Sequence, residues 1–301
     1  MPTTMREKPI RYPARKSLPP LANKVLGFVG GLDEAAYVTM NALIQGRLGG
    51  TLAYGDANSI TANAFRLDPS DVNGWDLPTK MTIGLPLVPE AGAYNMASIA
   101  AGSLDVQYDQ AAQNLVPFVD RIITARIGWE CNGDWYPWSP GNPYSTNATA
   151  ANYIACFRRY ALALRKWVPQ VVIEWNVNHD KVLNEAFYPG DDVVDCVAID
   201  AYLNSAFAAD SFTPFLTAPS GLNWLESFGD RHDKLIAIGE WATNYNSAGY
   251  INGMGDWFRR HPELLYHGYW NGDPGTFNGI LSTKPLASAA YVANFGSAAP
   301  T

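Results

Sequence analysis

Two glutamates stand in matching contexts in this chain. Glu130 lies in the segment Arg126-Ile-Gly-Trp-Glu-Cys-Asn-Gly133, and Glu240 lies in Leu235-Ile-Ala-Ile-Gly-Glu-Trp241. Cleavage of an acetal needs one neutral carboxyl group that donates a proton and one ionised carboxylate that stabilises positive charge on carbon. The pair therefore predicts glycoside hydrolysis, although a single glutamate at the end of a strand more often forms an ion pair or caps a helix.

Aromatic and polar residues cluster after the same apolar segments, and we expect them to bind the sugar. Aromatic faces stack on sugar rings, while amides, carboxylates and hydroxyl groups fix the orientation of a ligand. The predicted substrate-binding residues are Arg126, Trp129, Asn132, Trp135, Trp138, Asn176, Asp200, Tyr202, Trp241 and Trp270.

Some of these residues have two roles open to them. Arg126 is expected to hold a catalytic carboxylate ionised or to neutralise a buried carboxylate, because a neighbouring arginine lowers a carboxyl pKa in either case. Asp200 is expected to orient Arg126 or to bind sugar, and Tyr202 to hydrogen-bond Glu240 or to pack under a loop. Glu174 is a third carboxylate, but it lies earlier in its strand and is expected to satisfy a partner inside the fold.

The elements that must position these residues alternate along the chain. Apolar or β-rich segments that end in turn signals occur at 25–30, 50–54, 81–88, 122–129, 171–177, 197–203, 235–239 and 266–270. Amphipathic helical patterns occur at 33–45, 105–119, 148–167, 211–228, 249–260 and 285–295. This alternation predicts an α/β fold, a single-domain (β/α)8 TIM barrel, with the second unit weakest because residues 55–80 are rich in Asn, Asp and Pro.

In such a barrel the loops that follow the strands form the active face. The predicted site residues follow strands four to eight, so they are expected to meet at one end of the barrel. That clustering is hard to explain as a device for stability alone.

Length and composition allow this barrel as one unit of the 301-residue chain, because 48% of the residues are apolar and only 16% are charged. Residues 1–24 are predicted to be an extended, basic, proline-containing arm and residues 25–301 the catalytic barrel. The arm holds six basic residues and one acidic residue, Glu7, so its net charge is +5. Since the whole chain has a net charge of −7, the barrel has a net charge of −12. An acidic barrel argues against a nucleic-acid partner.

The three cysteines, Cys131, Cys156 and Cys196, have no spacing typical of a zinc site. A catalytic thiol at Cys131, next to Glu130, would need a partner histidine, and none lies near it in sequence. We therefore expect no metal and no cofactor. A metal-dependent hydrolase is disfavoured further because the chain has only four histidines, none of them paired at ligand spacing.

No stretch of the sequence approaches the roughly 20 apolar residues that a membrane span requires. The expected partner is a polysaccharide or oligosaccharide bound by a monomer. We expect a secreted or periplasmic protein if a signal peptide has been removed, and a cytoplasmic protein otherwise.

The chain resembles the retaining glycoside hydrolases of clan A, and within them glycoside hydrolase family 26. The strand-four pattern of that family, Arg-x-x-His-Glu-Met-Asn-Gly followed closely by Trp, is matched by Arg126, Glu130, Asn132, Gly133 and Trp135. Its Asp-x-Tyr after strand six is matched by Asp200 and Tyr202, its nucleophile by Glu240 and its strand-eight Trp by Trp270. The resemblance extends over roughly residues 25–295.

The resemblance implies that Glu130 is the acid/base and Glu240 the nucleophile of a retaining endo-β-glycanase, with Trp135 and Trp270 stacking on sugars. Family members are typically β-mannanases, with relatives that act on lichenan-type β-glucan or β-1,3-xylan. This chain departs from the pattern at Trp129, where the family has His, and losing a hydrogen-bonding group can change discrimination between sugars. A non-catalytic glycan-binding barrel is the alternative, but it would not need both glutamates.

Overall fold

The computed structural model describes residues 26–30, 34–55, 59–60, 80–89, 94–140, 142, 145–204, 212–262, 264–273, 275 and 277–296. Its core is a barrel of parallel strands: β1 (Leu26–Gly30), β2 (Gly50–Tyr54), β3 (Lys80–Leu85), β4 (Ile122–Ile127), β5 (Val172–Asn178), β6 (Cys196–Leu203), β7 (Leu235–Thr243) and β8 (Leu264–Tyr269). Each strand pairs with the next in sequence, and β8 pairs with β1, so the sheet closes. The predicted (β/α)8 barrel is confirmed.

Helices cover the outside of this barrel. They are α1 (Glu34–Leu43), α2 (Met96–Ala100), α3 (Asp105–Asn114), α4 (Ala150–Trp167), α5 (Thr213–Thr217), α6 (Leu222–His232), α7 (Ala248–Arg260) and α8 (Pro285–Phe295), with short 3-10 turns at Val116–Phe118, Glu185–Phe187 and Leu281–Thr283. A two-stranded pair, Tyr94–Asn95 with Ser145–Thr146, lies outside the barrel sheet.

Helix α4 shows how the sequence pattern gives this arrangement. Thr149 caps its first turn by accepting a hydrogen bond from the amide of Asn152. Its buried side chains recur every three or four residues and form one face against the barrel: Tyr153, Cys156, Phe157, Tyr160, Ala161 and Leu164.

The predicted helix at 211–228 is two helices in the structure, α5 and α6. A Cβ on Gly221 would lie 2.3 Å from the carbonyl oxygen of Phe215, so the chain can turn this sharply only with glycine there. The predicted arm at 1–24 and most of the weak second unit at 55–80 lie outside the described residues. Among the helices that are described, none is both long and apolar enough to span a membrane.

Strand register sets the heights of the functional side chains. Tyr54, Gly84, Arg126 and Glu174 are register partners across four neighbouring strands, from β2 to β5. Nearer the strand ends, Asn178 of β5 aligns with Asp200 of β6, which aligns with Glu240 of β7. Arg126 therefore lies in a layer of polar side chains inside the barrel, and the carboxylate of Glu240 lies nearer the carboxyl ends of the strands.

Candidate active site

Arg126 is the centre of the polar layer, with no exposed surface. Its Nε lies 3.1 Å from Oε1 of Glu174, and its Nη2 contacts both carboxylate oxygens of Asp200 at 3.0 and 2.9 Å. Its Nη1 donates to Oε1 of Glu240 at 2.9 Å. The planar guanidinium can serve all three carboxyl groups because its donors are fixed in a fork.

Burial raises the pKa of Asp200 and that of Glu174, and the charge of Arg126 opposes both shifts. Glu174 also accepts a hydrogen bond from the hydroxyl of Tyr266 at 2.8 Å. Asp200 and Glu174 are fully buried, so no sugar reaches them, and both hold Arg126 in place. Of the two roles open to Asp200, the geometry supports orientation of Arg126.

Glu240 is surrounded by donors. Oε1 accepts from Arg126 and from the hydroxyl of Tyr54, and Oε2 accepts from the hydroxyl of Tyr202 at 2.5 Å. Its side chain keeps a small exposed fraction, 10%, whereas that of Arg126 has none. Glu240 therefore lies at the boundary between the buried layer and the barrel mouth, with both oxygens acting as acceptors.

The position of Glu240 depends on an irregularity in β7. Ile199 aligns with Ile238, but Asp200 aligns with Glu240, so Gly239 is an extra residue in the strand. A Cβ there would lie 2.5 Å from Oδ1 of Asp200 and 2.8 Å from Nη2 of Arg126. Glycine at 239 thus gives the carboxylate network its space, while the bulge directs Glu240 toward the mouth.

Glu130 is the second carboxyl group at the mouth. Its Oε1 accepts from Nδ2 of Asn178 at 2.6 Å and its Oε2 from Nε1 of Trp135 at 2.9 Å. Burial raises the pKa of Glu130 to about 7, and the charge of Glu240 adds to the shift. Among the residues that the structure describes, no cation forms an ion pair with it, so Glu130 can hold a proton near neutral pH.

The backbone of Glu130 is in the left-handed region, with φ of 50°. This conformation is uncommon for a residue with a side chain. Asn176 secures it by accepting a hydrogen bond from the Glu130 amide at 2.9 Å and donating to Asp200 at 2.8 Å. Asn176 therefore links the Glu130 backbone to the network that holds Glu240.

Asn132 holds the loop after β5. Its Nδ2 donates to the carbonyl oxygens of Asn178 and Lys181, at 2.7 and 3.0 Å, and its Oδ1 accepts from the Asn178 amide at 2.7 Å. These contacts occupy the side-chain amide, so Asn132 acts on the site by positioning Asn178.

Trp135 is the exposed aromatic residue beside Glu130, with 40% of its surface accessible. The ring packs over Gly133, where a Cβ would lie 2.5 Å from the indole. Nζ of Lys181 lies 5.2 Å from the ring centroid on the cleft rim. A partly accessible indole next to a carboxyl group suits a sugar platform.

Trp129 and Trp270 flank Tyr54, with ring centroids 5.3 and 5.9 Å from it. Trp270 is partly exposed, whereas Trp129 is 95% buried and donates its indole N–H to the hydroxyl of Tyr136 at 2.9 Å. Trp270 can therefore offer a face to a ligand, and Trp129 offers mainly apolar packing where the family pattern has His.

Two predicted stacking residues are fully buried. Trp138 packs against Tyr136 and donates to the carbonyl oxygen of Trp129 at 2.9 Å. Trp241 donates to Nδ1 of His267 at 3.1 Å and lies among rings of the outer helices. The structure does not bring either indole to the mouth, so a sugar ring cannot stack on them.

The sequence pattern gives no sign of Tyr54, and it places Asn178 after strand five on the active face without marking it as a binding residue. Tyr54 ends β2, and no motif marks it, because its contacts with Arg126 and Glu240 form only when the barrel closes. Asn178 did carry a signal, since it lies two residues after Asn176 and therefore on the same strand face.

Within the described residues, no group of His, Cys, Asp and Glu side chains is placed to hold a metal ion. Cys131, beside Glu130, is a free buried thiol, and burial raises its pKa to about 12. This thiol therefore has no thiolate character near neutral pH.

Comparisons with known proteins agree with the motifs. Residues 88–228 match the model of glycosyl hydrolase family 26, a little under half of the chain, and this stretch contains Glu130. Endoglucanase H of Acetivibrio thermocellus is 36% identical over 124 residues, which cover 38% of this chain and 13% of that protein. The resemblance to family 26 is confirmed, and these comparisons support a glycoside hydrolase.

Solved structures share the fold at low sequence identity. The YdhT protein of Bacillus subtilis matches with a TM-score of 0.64 and 16% identity, over 90% of this chain and 85% of that one. The Bacillus subtilis mannanase man26 matches with a TM-score of 0.63 and 15% identity, over the same shares of the two chains.

Proposed function

We propose that this chain is a retaining, endo-acting glycoside hydrolase that cleaves a β-linked polysaccharide by double displacement, with Glu130 as acid/base and Glu240 as nucleophile. One observation carries the proposal. Two carboxyl groups at the barrel mouth have opposite surroundings: Glu130 meets two neutral donors and has a pKa raised to about 7, whereas Glu240 meets a guanidinium and two phenols. Such a pair provides one acid and one anion at the same pH.

In the first step, a Glu240 oxygen forms a bond to the anomeric carbon while the glycosidic bond breaks. The electron pair of that bond moves to the leaving oxygen, which takes the proton from Glu130. Asn178 and Trp135 stabilise the carboxylate that Glu130 becomes, because both donate to its oxygens.

In the second step, Glu130 acts as base and takes a proton from water. The water oxygen bonds to the anomeric carbon, and the electron pair of the ester bond returns to Glu240. Arg126 and the two tyrosines receive the restored negative charge through hydrogen bonds that already exist in the free protein, so little reorganisation is needed.

Trp135 and Trp270 are the proposed sugar platforms, since both rings are accessible and lie near the carboxyl groups. Because proteins similar to this chain include an endoglucanase and a mannanase, we take β-glucan and β-mannan as the first candidate substrates. Trp129 in place of His favours selection by shape over a hydrogen bond at that position.

The direct test is the stereochemistry of the product. Purified mixed-linkage β-glucan and β-mannan are digested, the products are sized, and proton NMR follows the first minutes. We expect internal cleavage with the β-anomer formed first. An α-anomer formed first would rule out double displacement, and release of single sugars from chain ends would rule out endo action.

Variants assign the two roles. With an activated aryl glycoside, Glu130→Ala should still form the glycosyl-enzyme, because the leaving group needs no proton, and azide should then restore turnover. Glu240→Ala should be inactive on the same compound. The surface variant Glu226→Ala is the control, and cleavage of polymer by Glu130→Ala at the parent rate would contradict the assignment.

A further inference from the structure

The hydroxyl of Tyr54 lies between the arginine and the carboxylate that the site depends on. It accepts a hydrogen bond from Nη1 of Arg126 at 2.8 Å and donates one to Oε1 of Glu240. Its proton can point only at Glu240, because a guanidinium has no acceptor. Burial raises the pKa of Tyr54 well above its ordinary value, and the charge of Arg126 only partly opposes this, so the hydroxyl stays protonated.

The two oxygens of Glu240 are therefore unequally occupied. Oε1 receives two donors, Arg126 and Tyr54, whereas among the described residues Tyr202 is the one donor to Oε2. A carboxylate oxygen has about two lone-pair sites. Oε1 is filled, and Oε2 keeps one electron pair that no described donor engages.

We propose that Tyr54 is a positioning residue that occupies Oε1 of Glu240 and thereby makes Oε2 the attacking atom. The inference rests on the proposed role of Glu240 as nucleophile. In the first step the bond forms between Oε2 and the anomeric carbon as the leaving group departs with its electron pair. Oε1 becomes the carbonyl oxygen of the ester and keeps both donors.

The surroundings of Tyr54 fix its ring. A Cβ on Gly84, its register partner, would lie 2.6 and 2.9 Å from Cδ1 and Cε1 of the tyrosine, so the ring packs directly against the β3 backbone. Trp129 and Trp270 pack against the same ring in edge-to-face arrangements. The hydroxyl is thus held at one place, which is what a positioning role requires.

The test measures nucleophilic attack separately from proton donation. The probes are the 2,4-dinitrophenyl 2-deoxy-2-fluoro-β-glycosides of cellobiose and mannobiose, whose leaving group departs without a proton. Their inactivation rate constant reports formation of the ester by Glu240. For Tyr54→Phe we expect this constant to fall about 10- to 100-fold, as loss of a hydrogen bond to a charged group implies, while the affinity for a competing oligosaccharide changes little.

Tyr108→Phe is the matched control. Its phenol is fully buried, whereas Tyr54 is partly buried, and it too donates a hydrogen bond, to the carbonyl oxygen of Leu87 at 2.7 Å, but it lies outside the site. Both variants should lose thermal stability to a similar degree, and only Tyr54→Phe should be inactivated slowly. Equal inactivation rates for the parent and Tyr54→Phe would overturn the proposal.

A crystal structure of the trapped ester supplies the second readout. We expect the sugar on Oε2, with Oε1 still bonded to Arg126 and Tyr54. A sugar on the oxygen that faces Arg126 would overturn the inference even if the rates agreed. If instead the parent enzyme cleaves no β-glycan, the proposed function fails, a result that the panel of polymers shows before any Tyr54 variant is made.

Discussion

Nε1 of Trp135 donates a hydrogen bond to Oε2 of Glu130 at 2.9 Å, although the same indole is 40% exposed. The face of the ring can therefore contact a sugar while its indole N–H remains hydrogen-bonded to Glu130, the proposed acid. Because this hydrogen bond lowers the pKa of Glu130 against the larger upward effect of burial, Trp135 also influences when the acid loses its proton.

Replacing Trp135 should separate the two contributions. Trp135→Phe keeps an aromatic face and loses the N–H, so the pKa of Glu130 should rise and the alkaline limb of the kcat/KM profile should move to higher pH. Trp135→Ala should in addition lose about 1 to 3 kcal/mol of transition-state stabilisation. Both effects are read from kcat/KM measured between pH 4 and 9.

Trp167→Ala is the control for these variants. Trp167 on α4 is 36% exposed and also donates its indole N–H to a carboxylate, Asp109, at 2.7 Å, but it lies away from the mouth. Its removal should leave the pH profile unchanged. A Trp135→Ala variant as active as Trp167→Ala would contradict the proposed role of Trp135 as a sugar platform.

Activity should fall as pH rises through about 7, because the proposed first step requires Glu130 to carry its proton. Burial, followed by the charge of Glu240, raises the pKa of Glu130 to about that value. The alkaline limb of kcat/KM for a polymer substrate measures this. The limb should vanish for a dinitrophenyl glycoside when ester formation limits the rate. A limb that persists there at the same pH would assign the titration to another group.

Ionisation of Glu130 should lower the free energy of unfolding at neutral pH and above. Below pH 4.5 both folded and unfolded states bind the proton, and between 4.5 and about 7 only the folded state does, so stability falls with rising pH across that window. Glu130→Gln should therefore gain up to about 3 kcal/mol more over the parent at pH 8 than at pH 4. Urea unfolding at the two pH values measures the difference.

Glu185→Gln should behave in the opposite sense. Hydrogen bonding by Arg231 lowers the pKa of Glu185, so its ionised form stabilises the fold above the ordinary carboxyl pKa. The loss in this variant should be small because the pair is exposed. A Glu130→Gln variant that gains equally at both pH values would indicate that its ionisation is not the cause.

Gly239→Ala should remove activity by displacing the carboxylate network, because the new Cβ would lie within 2.8 Å of Arg126, Asn176 and Asp200 side-chain atoms. The control variant is Gly229→Ala in α6, which introduces a comparable steric clash, since a Cβ there would lie 2.5 Å from a methyl group of Ile236. Both variants should unfold at lower temperature. Only Gly239→Ala should lose kcat at temperatures where circular dichroism shows it folded, and equal kcat in the two would argue against the role of the bulge.

The cysteines should titrate as three free thiols, and only after unfolding. All three are buried, and burial raises the pKa of Cys131 and of Cys156 to about 12. Thiol reagent at pH 8 should react slowly with native protein and find three groups in denatured, unreduced protein. Rapid reaction of any thiol in the native state would contradict the burial of all three cysteines.

Local sequence determined the barrel and the two glutamates. Strand periodicity and turn residues are local properties, and the observed strands differ from the predicted ones mainly at their ends, as at β7, which continues through Glu240 to Thr243. Trp241 follows Glu240 within β7 and points to the opposite face, which a predicted strand that ends at residue 239 does not show.

Only the tertiary structure decided which polar groups form hydrogen bonds with Glu240. Tyr54 is 186 residues from Glu240, and Arg126 is 114 residues from it, so no sequence spacing relates them. Closure of the sheet places β2, β4 and β7 around one interior. The low dielectric constant there strengthens each hydrogen bond to Glu240. The raised pKa of Glu130 has the same origin, because desolvation depends on how completely the folded chain excludes water.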